Sequence, residues 1–197
     1  SMPVGAYTID TFLLDKLTSL GIGINAEEGQ DYAKVIRFTI GSNPRSLKRY
    51  LNSFSLINEV RAADEPESQS TDKSEENFAL FCLLGIQISY PKLFRLLVQD
   101  AVFTNWGSPM AGRCGIDLQK IREQIEIFGE NELIDEEWEQ VVWGICQREP
   151  YLKSRVFDVL SLLNFLRDHF GDELEQAIEQ AMEFASITAV DDDPEMK

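Results

Sequence analysis

A single histidine, His169, and three widely spaced cysteines leave this sequence short of ligands for a transition metal. Cys82, Cys114 and Cys146 form no CxxC pair, and a structural zinc site needs about four such ligands close together. Their odd number and wide separation fit reduced thiols in a cytoplasmic protein rather than a disulfide framework. Also missing is any apolar run of the ~18–20 residues that span a bilayer. The longest, "FALFCLLGIQISY" from Phe78 to Tyr90, reads as a buried helix. No positively charged segment leads into an apolar core at the N-terminus, so no secretory signal is expected, and Ser1-Met2 reads as a cloning remnant. Cations are scarce too: 18 Lys and Arg stand against 34 Asp and Glu, a net charge of -16. That balance opposes binding of nucleic acid or an anionic membrane by the whole surface, because phosphates seek positive potential. Strands with a convincing alternating pattern are lacking as well.

What remains is a chain of amphipathic helices. At 197 residues with 44% hydrophobic content it can bury a real core. In "YTIDTFLLDKLTSLGIG", Asp10 or Thr8 is placed to cap a helix, Phe12, Leu13, Leu17 and Leu20 recur at helical spacing, and Gly21 is a stop. "NAEEGQDYAKVIRFTIG" predicts a second helix with Tyr32, Val35, Ile36 and Ile40 as its stripe. "PKLFRLLVQDAVF" starts with Pro91 at a favourable first helical position. "TNWGSPMAGRCG" reads as a loop from its Gly and Pro content. "DLQKIREQIEIFG" runs from an Asp cap to Gly129, and "DEEWEQVVWGICQRE" carries acids in its first turn, where the helix dipole favours them. "SRVFDVLSLLNFLRDHFG" and "DELEQAIEQAMEFAS" predict two more. No repeat period emerges. The expected fold class is all-α, an irregular bundle of about eight helices in two subregions. Residues 3–61 form a helical subdomain, and 62–77, with six acids and no large apolar residue, form a flexible acidic linker. Residues 78–188 form a C-terminal helical domain, and 189–197 a loose acidic tail.

One segment breaks the acidic character. "IGSNPRSLKRYLNSF", Ile40 to Phe54, gathers Arg45, Lys48 and Arg49 behind an Asn-Pro pair. Asn43 is a good N-cap, Pro44 fits the first helical position, and Gly41 lets the chain turn into the helix. Leu47, Tyr50, Leu51, Phe54 and Ile57 define an apolar stripe, while Arg45, Lys48, Arg49 and Asn52 share another face. From Lys34 to Arg61 six basic residues face one acid, Glu59. Cations beside a helix N-terminus oppose its macrodipole by a few tenths to ~1 kcal/mol each. A positive helix end with Arg and Lys suits an anion, and phosphate is the obvious one. The competing reading is that these cations pair with the protein's own carboxylates.

"GSNPRSLKRYLNSFSLIN" resembles the Asn-Pro-Arg helix in the lid region of P-loop NTPases, especially those of the KAP type and related AAA-like ATPases. "FALFCLLGIQISYPKLFRLL" is similar to the helix pair that follows it there, so the likeness spans about residues 8 to 100. The resemblance implies that Arg45 is a sensor reaching nucleotide phosphates, with Lys48 and Arg49 as flanking cations and Asn43 and Pro44 setting the helix start. ATP and magnesium would belong to a complete ATPase and not to the isolated chain. The departure from the family is large: there is no G-x-x-x-x-G-K-[ST] loop and no parallel-sheet pattern to hold one. The nearest string, "GSPMAGRC" from Gly107 to Cys114, has Arg113 in place of Lys and Cys114 in place of the hydroxyl that a hard cation prefers. The isolated chain is therefore not expected to be an enzyme.

Two expectations follow. The first is a non-catalytic lid and C-terminal regulatory portion of a P-loop ATPase, sensing phosphate and coupling to a partner, its upstream core or another protein. The second is an autonomous acidic helical adaptor that binds a protein through the same cations, with Trp106, in its Gly-Pro loop, as a candidate contact. Local nucleic-acid binding through the basic helix is a third reading, opposed by the overall charge; no membrane is expected. His169 reads as a helix-end residue, the pairs Asp135/Glu139 and Glu136/Glu137 as solvated helix surface, and Trp138 and Trp143 as core.

Overall fold

The computed structural model describes residues 4–19, 22, 24–41, 43–64, 70–129 and 134–185. Among them no strand occurs, and the fold is all-α as the sequence predicts. In chain order the helices are α1 (Val4–Ser19), α2 (Ala26–Phe38), α3 (Pro44–Asp64), α4 (Ser70–Ser89), α5 (Pro91–Gln99), α6 (Ser108–Arg113), α7 (Leu118–Phe128), α8 (Glu137–Arg148), α9 (Pro150–Lys153), α10 (Val156–Phe170) and α11 (Leu174–Ala185).

Two compact units divide the chain, and the division is not at the acidic stretch. Residues 1–98 together with 175–197 form one unit, and 99–174 form the other. Of the expected linker at 62–77, the described residues are helical: α3 continues to Asp64 and α4 is already helical from Ser70. The physical reason is a tertiary ion pair. Arg61 donates from Nη2 to Glu76 and from Nη1, at 2.9 Å, to Asn77, which ties the acidic turn of α4 to α3. Residues 65–69 and the expected tail at 189–197 lie outside the described residues.

In the discontinuous unit, α1 packs on α2, and both α2 and α3 pack on α4. α1 begins at Val4, so Thr8 and Asp10 fall inside the helix instead of capping it; nothing between Val4 and Thr8 forbids the extra turn. Leu13 and Leu17 are buried, whereas Leu20 and Gly21 lie outside the described residues. Asn25 caps α2 through a reciprocal box with Glu28. Tyr32, Val35 and Ile36 point into the core, and Ile40, past the helix end, is half-buried.

The core is aromatic. Phe81 of α4 meets Tyr32, Tyr50 and Phe54 edge-on, at centroid distances of 4.7, 4.7 and 5.1 Å. Edge-to-face pairs add about 0.5–1.5 kcal/mol each beyond the area they bury. The Tyr50 hydroxyl donates to the Phe81 carbonyl, so its polar tip is satisfied inside the core. Gly85 lets α4 approach the end of α2: a Cβ there would lie 3.1 Å from the Thr39 methyl.

The continuous unit is built around α8, which packs against α6, α7, α9 and α10. Its Trp138, Val141, Val142, Trp143, Ile145 and Cys146 are buried, as the sequence predicts for both tryptophans. Gly144 permits the contact with the α7 side, since a Cβ there would sit 2.7 Å from Ile116 Cγ2. Asp117 caps α7 and Gly129, at φ 73°, ends it. The Gly-Pro stretch expected as a loop instead holds a 3-10 turn at Phe103–Asn105 and then α6. Pro109 sits in the first turn of α6, where its missing N–H costs nothing.

Candidate functional site

The start of α3 forms as its residues dictate. Gly41 takes the left-handed conformation at φ 69°, and Asn43 Oδ1 accepts from the backbone N–H groups of Arg45, at 3.0 Å, and Ser46, at 3.4 Å. Pro44 is the first helical residue. Leu47, Tyr50, Leu51, Phe54 and Ile57 are all buried, so one face of the helix is locked against the aromatic core. Its opposite face is thereby held toward solvent.

That solvent face carries Arg45, Lys48, Arg49, Asn52 and Leu56. The three cations are exposed, and none makes a side-chain hydrogen bond or ion pair with a described residue. Internal neutralisation, the competing reading of these charges, therefore finds no support among the described residues. Other cations of the basic segment are spoken for: Lys34 pairs with Asp31 at 2.9 Å and Arg61 with Glu76. Leu56, 57% exposed, extends the cationic ledge with an apolar step one turn beyond Asn52.

Trp106, expected as a partner contact, does not offer its side chain to one. It is 1% exposed, its ring lies against Phe103, and its indole N–H donates to the Asp100 carbonyl at 3.0 Å. The Gly-Pro stretch forms the N-cap and first turn of the short helix α6. The same helix occupies "GSPMAGRC", so this string has no phosphate-cradling loop conformation.

Of the acids expected as solvated surface, Asp135, Glu136 and Glu137 are exposed, but Glu139 is not. Glu139 is 4% exposed. Its Oε2 accepts from the backbone N–H groups of Asp135 and Glu136, each at 3.1 Å, and its Oε1 accepts from Asn164 at 2.9 Å. Glu136 accepts from the Trp138 indole at 2.6 Å and from Arg167 at 3.0 Å. Asp135 meets Glu139 through its backbone and not as a second carboxylate, so the arrangement caps α8 and leaves no acid–base pair. His169 stands exposed in the last turn of α10, as expected, beside the rings of Phe165 and Phe170.

Sequence reasoning missed Arg61 and Glu139. Arg61 follows Leu47, Tyr50, Phe54 and Ile57 at the same helical spacing. That register was the available signal that its guanidinium turns inward, where it also stacks 4.3 Å over the Phe184 ring. Glu139 stands three residues after the N-cap Glu136, the capping-box position.

No group of three or more His, Cys, Asp or Glu side chains is arranged to hold a metal ion among the described residues. Burial drives the buried thiols away from reactivity: Cys82 is raised well above its ordinary range and Cys146 is pushed up to about 12. No helix among the described residues is long and apolar enough to cross a membrane. Compared with known proteins, the chain matches no family model, no curated protein and no solved structure.

Proposed function

We propose that this chain is a non-catalytic helical module that uses the cationic ledge of α3 to meet negative charge on a partner. The observation that carries the reading is the exposure of Arg45, Lys48 and Arg49 without carboxylate partners among the described residues of an otherwise acidic protein. A cation in the first turn of a helix, here Arg45, costs stability, and neutralisation by a bound anion would offset that cost. The resemblance of residues 41–58 to the Asn-Pro-Arg helix makes nucleotide phosphate the first-choice anion. The chain would then act as lid and C-terminal portion of a KAP-type P-loop ATPase, with Arg45 as sensor and ATP and magnesium held by the upstream core. Reduced cysteines support a cytoplasmic setting.

Sequencing the open reading frame upstream of Pro3 tests the lid reading directly. An in-frame Walker-type loop followed by at least a tenfold loss of ATP turnover in Arg45→Ala, with unchanged helicity, is the expected result. A native start at Met2, or unchanged turnover, removes it. A second reading rests on Leu56: an apolar step in line with cations suits an acidic peptide with a hydrophobic anchor. Under that reading Lys48→Glu with Arg49→Glu abolishes capture of an acidic peptide, and nucleotide leaves the protein unaffected.

A further inference from the structure

We propose that the ledge has an intramolecular occupant, the chain's own acidic segment 186–197, which shields Arg45, Lys48 and Arg49 until a partner displaces it. This rests on the reading of the ledge as a site for negative charge and adds its regulation. Three features point to this segment. The first is charge: "SITAVDDDPEMK" carries Asp191, Asp192, Asp193 and Glu195 against the single cation Lys197. The acids stand within five positions, matching three cations within five positions on α3.

The second feature is the point of departure. α11 ends at Ala185 in the same unit as α3. Its Phe184 ring lies 4.3 Å from the Arg61 guanidinium. α11 therefore ends beside the C-terminal part of α3, and the ledge lies back along that helix on its opposite face.

The third is reach. Arg49 is twelve residues and Arg45 sixteen residues before Arg61, so at about 1.5 Å per residue they lie about 18 and 24 Å back along the axis. An extended chain covers about 3.3 Å per residue, which carries Asp191 to Asp193 about 20 to 26 Å beyond Ala185. Arg49 and Arg45 also lie about 120° and 160° around α3 from Arg61, so the path must turn round the helix as well as run back along it, and the later acids, Asp193 and Glu195, have the length for both.

The decisive experiment compares amide NMR spectra of the full chain with those of a full-length variant carrying Asp191→Asn, Asp192→Asn, Asp193→Asn and Glu195→Gln. Shifts at the amides of Arg45 to Asn52, unchanged across a dilution series and erased by high salt, are expected. Unmoved amides overturn the proposal, and shifts that grow with protein concentration overturn it in favour of a second copy's segment. A parallel titration with inorganic tripolyphosphate separates this inference from the function it rests on. If the segment occupies the ledge four-fifths of the time, the neutralised variant binds tripolyphosphate about fivefold more tightly than the native chain. Equal affinity for both chains also overturns the proposal. Amide shifts without tripolyphosphate binding by either chain would leave the occupant standing and remove phosphate as the ledge's ligand.

Discussion

Arg61 and Cys82 show how single residues in the discontinuous unit are bound to their surroundings. The Arg61 side chain is only 11% exposed and touches two other helices, α4 through Glu76 and Asn77 and α11 through Phe184. Replacing it with Met keeps much of the stem's packing but leaves the Glu76 carboxylate, 30% exposed, without its cation. We expect Arg61→Met to lower unfolding free energy by about 2 kcal/mol in urea titration, with faster hydrogen exchange concentrated in α11. Arg61→Lys should recover only part of the loss, since an ammonium cannot fork to both Glu76 and Asn77 in one plane. Cys82, Tyr32 and Tyr50 all have their ionisation pushed upward by burial. The sign is that of groups kept neutral by the fold. Their contribution is complete below the unfolded values, 9.0 for the thiol and 10.0 for the phenols, and is lost as pH rises beyond them because the unfolded chain ionises first. Thermal melts should therefore fall steadily above pH 9. In native protein below that pH, thiol-reactive probes should label half-buried Cys114 and spare Cys82 and Cys146.

At the scale of the element, α3 couples a rigid face to an unneutralised one. Its apolar side is anchored by Tyr50 and Phe54 on Phe81, so the ledge is presented at fixed spacing without depending on its own charges. This separates stability from binding. Arg45→Glu places an acid in the first turn, where the macrodipole favours it, and should raise stability by a few tenths to ~1 kcal/mol. The same change should abolish anion binding at the ledge, so a calorimetric melt and a tripolyphosphate titration should move in opposite directions. A loss of stability instead would mean that Arg45 is held by a partner, such as the 186–197 segment, whose contribution exceeds that of the dipole. The element was legible in the sequence because all of its signals are local: Gly41, the Asn43 cap, Pro44 and a five-residue stripe. The first turns of α4 were not, because eight polar residues from Ser70 to Asn77 become helical through an ion pair to a residue on another helix. Trp106 was misread for a related reason: Gly107 and Pro109 signal a loop, but here they are the N-cap and first turn of a short helix.

Across the whole molecule, the net charge of -16 sets how it responds to salt. Self-repulsion among carboxylates weakens the folded state, and the Debye length contracts from about 30 Å at 0.01 M to about 10 Å at 0.1 M ionic strength. The melting temperature should thus rise with added salt over that range, while anion binding at α3 weakens over the same interval. A flat melting profile would indicate that the acids are already neutralised locally. Helical class was readable from periodicity, yet the division into units was not. Composition marks 62–77 as the boundary, whereas the fold divides at 98/99 and 174/175, where nothing in local composition signals a break. Such a division depends on which distant helices share a core, and pattern within a window carries no record of it.

The return of the chain to its first unit has a consequence for synthesis. Residues 99–174 must all be made before α11 can take its place beside Arg61. At about 5–20 residues per second, the nascent first unit waits about 4 to 15 seconds for its last helix. During that interval the inward-facing guanidinium has Glu76 but not Phe184, and the inserted unit is free to finish folding first. The order of assembly on the ribosome is therefore the reverse of the order in which the two units begin.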